Sequence, residues 1–246
     1  MRSYLPLREL DTDWLRKKDP RGLRAGIFRD ALFLFPNYPI EQSNKFVKIK
    51  KEQVIFCFFM HILVEVSARH IHLSREDIDI LFGKDYQLQK ERDLSQGDDF
   101  AAKEKLTVKT DKASLSLRVV GKERQESQIE LSRTDAINLG VGDLPLRTSG
   151  HLDGVPKLEV VGPQGKTSVS AIVACRHLHL SPDVALEADL RDGDKTVVKI
   201  EGERKTIFEN VVVRVQNDYT PACHLDTDEG NACGLTKNPG EGEILL

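Results

Sequence analysis

Short runs of alternating apolar and polar residues recur along the chain from about residue 61 onward. They are rich in valine and isoleucine and are bounded by glycine, aspartate or proline: ILVEV, KLTVKT, SLSLRVVG, KLEVVGP, SVSAIVA, KTVVKIEG and NVVVRV. Alternation with a period of two is typical of strands with one buried face, and many short strands indicate a barrel or sandwich. The pattern therefore predicts a mainly β fold.

Three short segments have helical rather than strand character. They are SREDIDILFG (74–83), SRTDAINLG (132–140) and SPDVALEADL (181–190). Each begins with serine, a preferred residue at a helix N-cap, and the third has proline directly after that serine. We expect three short helices, each following a β segment.

The sequence Arg-His-x-His-Leu-Ser occurs twice, in ARHIHLS (68–74) and in CRHLHLS (175–181). Each copy follows an apolar run and precedes a serine-capped helix, so the chain contains two similar β units. We place the boundary between them in GPQGK, which predicts a first β unit over 61–162 and a second over 163–246. Residues 1–60 lack this periodicity and are predicted to be an N-terminal extension.

The start of the regular pattern coincides with the second methionine of the chain. Met60 directly precedes HILVEVSARHIHLS, and the only other methionine is Met1. We therefore hypothesise that the natural protein starts at Met60, and the alternative is a genuine targeting or interaction extension. A peptide from 1–59 in mass spectra of the natively expressed protein would decide for the extension.

Composition limits the classes of partner. The net charge is −3 and the basic residues are dispersed, apart from KFVKIKK (45–51), so nothing favours nucleic acid or an anionic membrane. None of the four cysteines forms a C-x-x-C pair, which argues against a zinc knuckle or a thioredoxin motif. The first residues lack the apolar region of a signal peptide, and the apolar run at 54–66 is too short for a membrane span. We expect a cytoplasmic protein with free thiols.

The repeated motif places imidazoles in pairs. Residues two apart on a strand share a face, so His70 and His72 continue the face of Val64, and His177 and His179 continue the face of Val173. Two imidazoles at a strand end can bind one metal ion, such as zinc. A single pair would often be surface or core histidines, but two matched copies favour a metal site.

Two further residues are candidate ligands. His224 lies in the acid-rich segment ACHLDTDEGNACG, and Glu130 ends a strand just before a serine-capped turn. The acids that follow His224 are expected to orient imidazoles or to form a turn. His61 and His151 belong to no motif, and we expect both to be structural or exposed.

Other classes of protein fit parts of this pattern. HIHLSRE has the spacing of a cupin metal motif with Glu76 as third ligand, but the second copy has Asp183 at that position. Binuclear hydrolases with a His-x-His strand end are usually (β/α)8 barrels, and the required alternation of helices is lacking here. A non-catalytic, metal-stabilised scaffold or shell-binding protein is the third alternative, and it would need closed histidine sites with no open coordination position.

Several segments together resemble the PduL-type phosphotransacylases, which are phosphate propanoyltransferases. These segments are VSARHIHLS, IELSRTDAINLG, LRTSGHLDG, VACRHLHLSP and HLDTDEGNACGL, and the resemblance spans about 62–236. It implies two β-barrel subdomains capped by short α-helices, with an active site between them that holds two metal ions, usually zinc. The chain departs from the pattern in Ser-Ala-Arg, where Ser-Asn-Arg is frequent, and in GKER, where Gly-Pro is frequent.

The resemblance also implies roles for individual residues. His70, His72 and Glu130 match the ligands of the first metal, and His177, His179 and His224 match those of the second. Arg124 matches an arginine that holds phosphate. The matches to the coenzyme A site are Val66, Ser67, Ala68 and Asn231, with Arg118 as a further contact to the phosphates of coenzyme A.

The implied reaction converts acyl-CoA and phosphate into acyl phosphate and CoA, with propanoyl or acetyl as the acyl group. No covalent acyl-enzyme is required, although Cys175 shares the parity of His177 and is the alternative nucleophile. Because the family is often associated with bacterial microcompartments, the resemblance also implies a role in propanediol degradation, a location inside such a compartment, and shell or enzyme partners. A homo-oligomer is left open.

Overall fold

The computed structural model describes residues 59–245, so the predicted N-terminal extension lies outside the described part except for its last two residues. The described chain contains fourteen strands and four short helices. The strands are β1 (Phe59–Val66), β2 (His70–His72), β3 (Lys90–Asp93), β4 (Phe100–Lys109), β5 (Ser114–Gly121), β6 (Gln128–Leu131), β7 (Leu146–Arg147), β8 (Lys157–Val161), β9 (Lys166–Ala174), β10 (His177–Leu180), β11 (Lys195–Glu201), β12 (Thr206–Val215), β13 (Ala222–Leu225) and β14 (Gly240–Leu245). The helices are α1 (Arg75–Phe82), α2 (Arg133–Asn138), α3 (Pro182–Glu187) and α4 (Thr227–Cys233).

The first barrel closes through six strands in the order β4-β5-β2-β6-β9-β8. Strand β8 pairs with both β4 and β9, which completes the ring, while β3 adds to β4 and β7 adds to β9. The alternating pattern of the sequence gives each strand one apolar face, and these faces together fill the interior of the barrel. That interior contains the fully buried Ile71, Leu117 and Ile129.

The second barrel consists of β1-β13-β10-β12-β11-β14 and closes through the pairing of β1 with β14. Its core contains Val64, Leu178, Val213 and Ile244, none of which is exposed. The predicted fold class is confirmed: the protein is mainly β, with two six-stranded barrels and short helices. No helix within residues 59–245 has the length and apolarity needed to cross a membrane.

The strands are divided between the barrels differently from the boundary predicted at 162–166. That segment is the turn of the β8–β9 hairpin, and both of its strands belong to the first barrel. The chain instead crosses between the barrels at 67–69 and at 175–176, so β1 belongs to the second barrel although it precedes the first. The alternating pattern identifies strands but carries no information about which barrel a strand joins.

The crossings also change the predicted face of the histidines. We expected β1 to continue into the His-x-His segment, which would give one inward face from Val64 to His72. The structure instead has two strands, in which Val64 faces the core of the second barrel and Ile71 faces the core of the first. His70 and His72 share a face as predicted, but this face points away from the core of their own barrel.

Three helices were predicted from an N-cap serine, and in two of them the serine side chain caps the helix. The Ser74 side chain accepts a hydrogen bond from Asp77 N, and the Ser132 side chain accepts one from Asp135 N. Ser181 precedes α3 but makes no such bond with its side chain. The fourth helix, α4, was not predicted; Asp226 is its N-cap and forms a reciprocal capping box with Glu229.

This difference between the serines gives a prediction with a matched control. Ser132→Ala removes a cap that satisfies a backbone N–H, so we expect it to lower the free energy of unfolding by about 1 kcal/mol. Ser181→Ala removes the same atoms from a cap position where no side-chain bond exists, and should cost much less. Urea denaturation of the two variants measures both values, and equal losses would contradict the assignment of the caps.

Candidate active site

Two clusters of metal-ligand side chains lie in a cleft of about 530 Å3 between the barrels. The first consists of His70, His72 and Glu130, and the second of His177, His179 and His224. In each cluster, one nitrogen or oxygen atom per residue lies within 4.8 Å of its counterparts. The structure therefore brings together all six predicted ligands.

The first cluster is built on the antiparallel pair β2 and β6. His70 is paired with Glu130 in the register, and Ile71 and Ile129 on the same strands point into the core of the first barrel. His70 Nε2 lies 3.7 Å from Glu130 Oε2, and His72 Nε2 lies 3.9 Å from Glu130 Oε1. The carboxylate thus lies between the two imidazoles.

The second cluster repeats this arrangement on β10 and β13. His177 is paired with His224, and Leu178 and Cys223 point into the core of the second barrel. The ring centroid of His179 lies 4.7 Å from that of His177 and 4.6 Å from that of His224. His224 therefore occupies the position in the second barrel that Glu130 occupies in the first.

Backbone carbonyls select the tautomer of the first histidine in each motif. His70 Nδ1 lies 2.9 Å from Ala68 O, and His177 Nδ1 lies 3.0 Å from Cys175 O. A carbonyl only accepts hydrogen bonds, so each Nδ1 carries the proton and each Nε2 presents a lone pair. The repeat thus reproduces the orientation of the imidazole as well as its position.

The clusters have the properties of a ligand set. Burial, with a contribution from His70, lowers the pKa of His72 to about 3, and burial with His224 lowers the pKa of His177 to about 4. Burial also lowers the pKa of His179. Burial alone would raise the pKa of Glu130, but the neighbouring imidazoles of His70, His72 and His177 outweigh it and lower the pKa to about 2. Neutral imidazoles and an ionised carboxylate are the forms that bind metals.

Unpartnered nitrogens support the same conclusion. His72 Nδ1, both ring nitrogens of His179 and His224 Nε2 are buried and have no hydrogen-bond partner among the described residues. Buried polar atoms without partners are costly, and a bound ion would satisfy one nitrogen of each ring that it contacts. Imidazole and carboxylate donors in groups of three suit zinc or a similar divalent metal.

The arginine that opens each motif has a structural role. Arg69 Nη1 lies 2.7 Å from Asp135 Oδ1 in α2, and Arg176 Nε lies 3.2 Å from Glu229 Oε1 in α4. Both acids lie in the first turn of the helix that follows the partner strand of the motif. The arginines therefore attach each crossing segment to a cap helix, which explains why the motif repeats its arginine.

Both predicted anion-binding arginines lie in the cleft. Arg124 Nη2 donates to Asp99 Oδ2 at 2.7 Å, and the Arg124 side chain is 42% exposed. Arg118 Nη1 donates to Ala102 O and is paired with Glu91. A third arginine, Arg214, was missed by sequence reasoning: it is paired with His179 in the register and lines the cleft, and its guanidinium makes no ion pair or hydrogen bond with any residue in 59–245.

The predicted coenzyme A residues are only partly brought together. Val66, Ser67 and Ala68 line the cleft at the first crossing, and Asn238 Oδ1 accepts a hydrogen bond from Val66 N. Asn231 is exposed on α4 and does not line this cleft. Asn238 lines the cleft instead, although nothing in the sequence pattern predicts it.

The remaining candidates lie outside the clusters. Glu76 is exposed in the first turn of α1, so the cupin-like ligand set is not formed among the described residues. His61 and His151 are exposed, as expected. Gln128 was missed; it is buried beside Glu130 and donates an amide N–H to Glu130 Oε1.

Cys175 lies near both clusters, but its chemistry does not suit a nucleophile. Burial raises the pKa of its thiol, and only the thiolate attacks carbonyl carbon effectively. For the acyl transfer that the family resemblance implies, we expect Cys175→Ala to keep the rate of CoA release within about twofold of the wild type. A variant that retained its metal but lost turnover would contradict this expectation.

Sequence comparison identifies relatives of this chain. The family model described as phosphate propanoyltransferase matches residues 63–236. The chain is 44% identical over 185 residues to a phosphate propanoyltransferase of Enterococcus faecalis, covering 74% of this chain and 87% of that protein. It is 45% identical over 177 residues to that of Lachnoclostridium phytofermentans, covering 70% and 82% of the two chains. It is 43% identical over 178 residues to that of Thermotoga maritima, covering 71% and 84%.

Proposed function

Because this chain belongs to the phosphate propanoyltransferase family, we propose that it transfers short acyl groups between coenzyme A and phosphate. Propanoyl-CoA or acetyl-CoA and phosphate would be converted into acyl phosphate and CoA, in either direction. The observation that supports this proposal is one cleft that contains two ligand clusters and cationic side chains. Transfer to phosphate needs an activated sulfur atom and a bound anion, and the cleft offers groups for both.

We propose that the two clusters hold two divalent metal ions, with His70, His72 and Glu130 at one and His177, His179 and His224 at the other. When bound, such ions supply Lewis acidity and stabilise the thiolate of CoA. The chain's own contribution is to keep the imidazoles neutral and oriented. The carbonyls of Ala68 and Cys175 orient the first histidine of each pair, and burial favours the neutral form of His72, His177 and His179.

Arg124 is the proposed phosphate-binding residue. Its guanidinium carries two edges of N–H donors, and Asp99 engages Nη2. The other donors can form paired hydrogen bonds to two phosphate oxygens, a geometry that lysine does not provide. Asp99 therefore orients the arginine, which reduces the entropy lost when phosphate binds.

Arg214 is a second proposed anion contact. It lies beside His179 and has no anionic partner within residues 59–245, so its charge is available to the substrate. A fixed cation near the reacting carbonyl stabilises the negative charge that develops on oxygen during acyl transfer. We place phosphate at Arg124 and the carbonyl oxygen nearer to Arg214.

The segment Val66–Ala68 is proposed to contact coenzyme A. Two backbone N–H groups of this segment are hydrogen-bonded: Val66 N donates to Asn238 Oδ1, and Ser67 N donates to Leu225 O. Because the crossing segment is already ordered, it loses little conformational entropy when the pantetheine arm binds. Arg118 is the proposed contact to the phosphates of coenzyme A.

Detection of acyl phosphate tests this function. The full chain, supplied with propanoyl-CoA or acetyl-CoA and phosphate, should form a product that hydroxylamine traps as the acyl hydroxamate. Loss of CoA from the thioester without any trapped product would indicate a thioesterase and contradict the proposal. A folded, metal-containing protein that leaves the thioester intact would favour the scaffold alternative.

Cellular location and assembly stay predictions from the family. We propose a cytoplasmic enzyme inside a bacterial microcompartment, with shell or enzyme partners, and a homo-oligomeric state is left open. Fractionation of the native organism would test the location, because a protein excluded from purified microcompartments would contradict it.

A further inference from the structure

We propose that Gln96 is a positioning residue, which fixes the phosphate-binding side of the cleft relative to the second barrel. Gln96 lies in the connection between β3 and β4 of the first barrel, and only 7% of it is exposed. Its Nε2 donates to Thr220 O at 3.0 Å, and its Oε1 accepts from Thr220 N at 3.2 Å. Thr220 belongs to the connection between β12 and β13 of the second barrel. The inference rests on the proposed function and concerns how the two sides of its site are held together.

The two hydrogen bonds require an amide side chain. A primary amide has both donor N–H groups and an acceptor oxygen, so it can bond the N–H and the C=O of one residue at the same time. Methionine has a similar length but forms neither bond well, and an ionised glutamate accepts but does not donate. The neighbouring Ser95 donates a hydrogen bond to Glu65 in β1. The connection between β3 and β4 therefore contacts the second barrel at two adjacent residues.

The same connection holds Arg124, the proposed phosphate-binding residue. Asp99 is the last residue of the connection, and its N–H donates to Gln96 O at 3.3 Å. The Asp99 carboxylate accepts from Arg124 Nη2 at 2.7 Å and from Lys122 N at 3.1 Å. A continuous series of hydrogen bonds therefore runs from Thr220 through Gln96 and Asp99 to the guanidinium of Arg124.

The segment of the second barrel that Gln96 contacts is attached to the second cluster. It joins β12, which carries Arg214, to β13, which carries His224. Tyr219, the residue before Thr220, stacks on His179, with 4.1 Å between the ring centroids and 27° between the ring planes. Gln96 therefore binds a backbone segment whose position is coupled to that of the second cluster.

The proposed reaction depends on the relative position of the two barrels. Phosphate is placed at Arg124 on the first barrel, and the reacting carbonyl nearer to Arg214 on the second. The phosphate oxygen must come within about 3–3.5 Å of the carbonyl carbon, and a misplacement of about 1 Å can cost about 100-fold in rate. Because Arg124 and Asp99 both belong to the first barrel, loss of the Gln96 side chain should alter this placement and leave phosphate binding itself largely intact.

Amide hydrogen exchange of the full chain tests the contact itself. The Thr220 N–H should be protected in the wild type, because Gln96 accepts its hydrogen bond. Gln96→Met keeps the approximate size of the side chain but removes both hydrogen bonds, and Thr220 is exposed, so water can replace them. We expect the Thr220 amide to exchange about tenfold faster in this variant. Equal exchange of Thr220 in the two proteins would overturn the proposal.

The ratio of two rates tests the positioning role. CoA release from propanoyl-CoA is measured with and without phosphate on the same samples of the full chain. Gln96→Met should lower the phosphate-dependent rate about tenfold and leave the slow phosphate-independent rate unchanged. Binding of inorganic phosphate, followed by phosphorus NMR, should stay within about twofold of the wild type. A partly unfolded variant would lower both rates in the same proportion, and that result would overturn the proposal.

Combination with Arg124→Ala shows whether Gln96 acts through the placement of phosphate. In that background Gln96→Met should lower phosphate-dependent release little further, because phosphate is no longer held at Arg124. An equal loss in both backgrounds would overturn the proposal.

Gln87→Ala is the matched control. Gln87 is exposed and donates only to Asp85 O in the same loop, so its loss should change neither the exchange of Thr220 nor the two rates. Wild-type turnover with unchanged rates in Gln96→Met would overturn this inference alone. A wild type that forms no acyl phosphate would refute the proposed function, and the role of Gln96 in it, whatever the exchange of Thr220 shows.

Discussion

Replacement of Arg124 by alanine is expected to lower phosphate-dependent CoA release by about 10²- to 10³-fold, the usual loss when a preorganised donor to a reacting anion is removed. Arg124 lies in the cleft with both clusters, and Asp99 holds one of its two terminal nitrogens. Its remaining donors are therefore oriented before phosphate arrives. Steady-state rates measured over a range of phosphate concentrations should show the loss in both kcat and the phosphate KM.

Two further variants make this experiment specific. Arg124→Lys keeps the charge but not the paired donors, so we expect it to recover only part of the lost activity. Arg191→Ala removes an exposed arginine outside the cleft and should leave the rates unchanged. An Arg124→Ala enzyme whose phosphate KM equals that of the wild type would show that phosphate binds elsewhere, with Arg214 as the first residue to examine.

Replacement of Glu130 by glutamine is expected to remove one metal equivalent and lower turnover by about 10³-fold. Glu130 is the single carboxylate of the first cluster and lies within 4 Å of both of its imidazoles. Loss of Lewis-acid stabilisation is worth several kcal/mol, and about 4 kcal/mol corresponds to a thousandfold in rate. Metal analysis of the purified variant and its rate of CoA release measure the two effects.

The control for Glu130→Gln is Glu126→Gln. Glu126 precedes β6, is exposed and contacts neither cluster, so its amide variant should keep both metal equivalents and full turnover. Retention of both metals and of activity in Glu130→Gln would contradict the assignment of the first cluster. Loss of activity with both metals retained would instead assign Glu130 a role in proton transfer.

The fold class follows from the sequence because its signals are local. Alternation identifies strands such as β9 and β12, and serine caps identify helices such as α2. Which barrel a strand joins depends on pairing between distant residues, such as Leu63 with Ala222. No local pattern encodes that pairing, so the predicted boundary at 162–166 falls within a hairpin of the first barrel.

The residues of the candidate site were likewise predicted where a local motif marks them and missed where none does. The repeated motif and two flanking segments predict six ligands, and the structure brings all six together. Arg214 and Gln128 could not be predicted, because neither lies in a recognisable motif. Arg214 comes beside His179 only through the pairing of β10 with β12, whereas Gln128 donates to Glu130 on its own strand.

Release of CoA thiol from propanoyl-CoA by the full chain, with and without phosphate, tests the central claim most directly. Metal content is measured on the same sample. The proposed function predicts release that depends on phosphate, together with about two divalent metal ions per chain, as two three-ligand clusters would hold. Release at the same rate without phosphate, or no release from a folded protein that contains its metals, would contradict it.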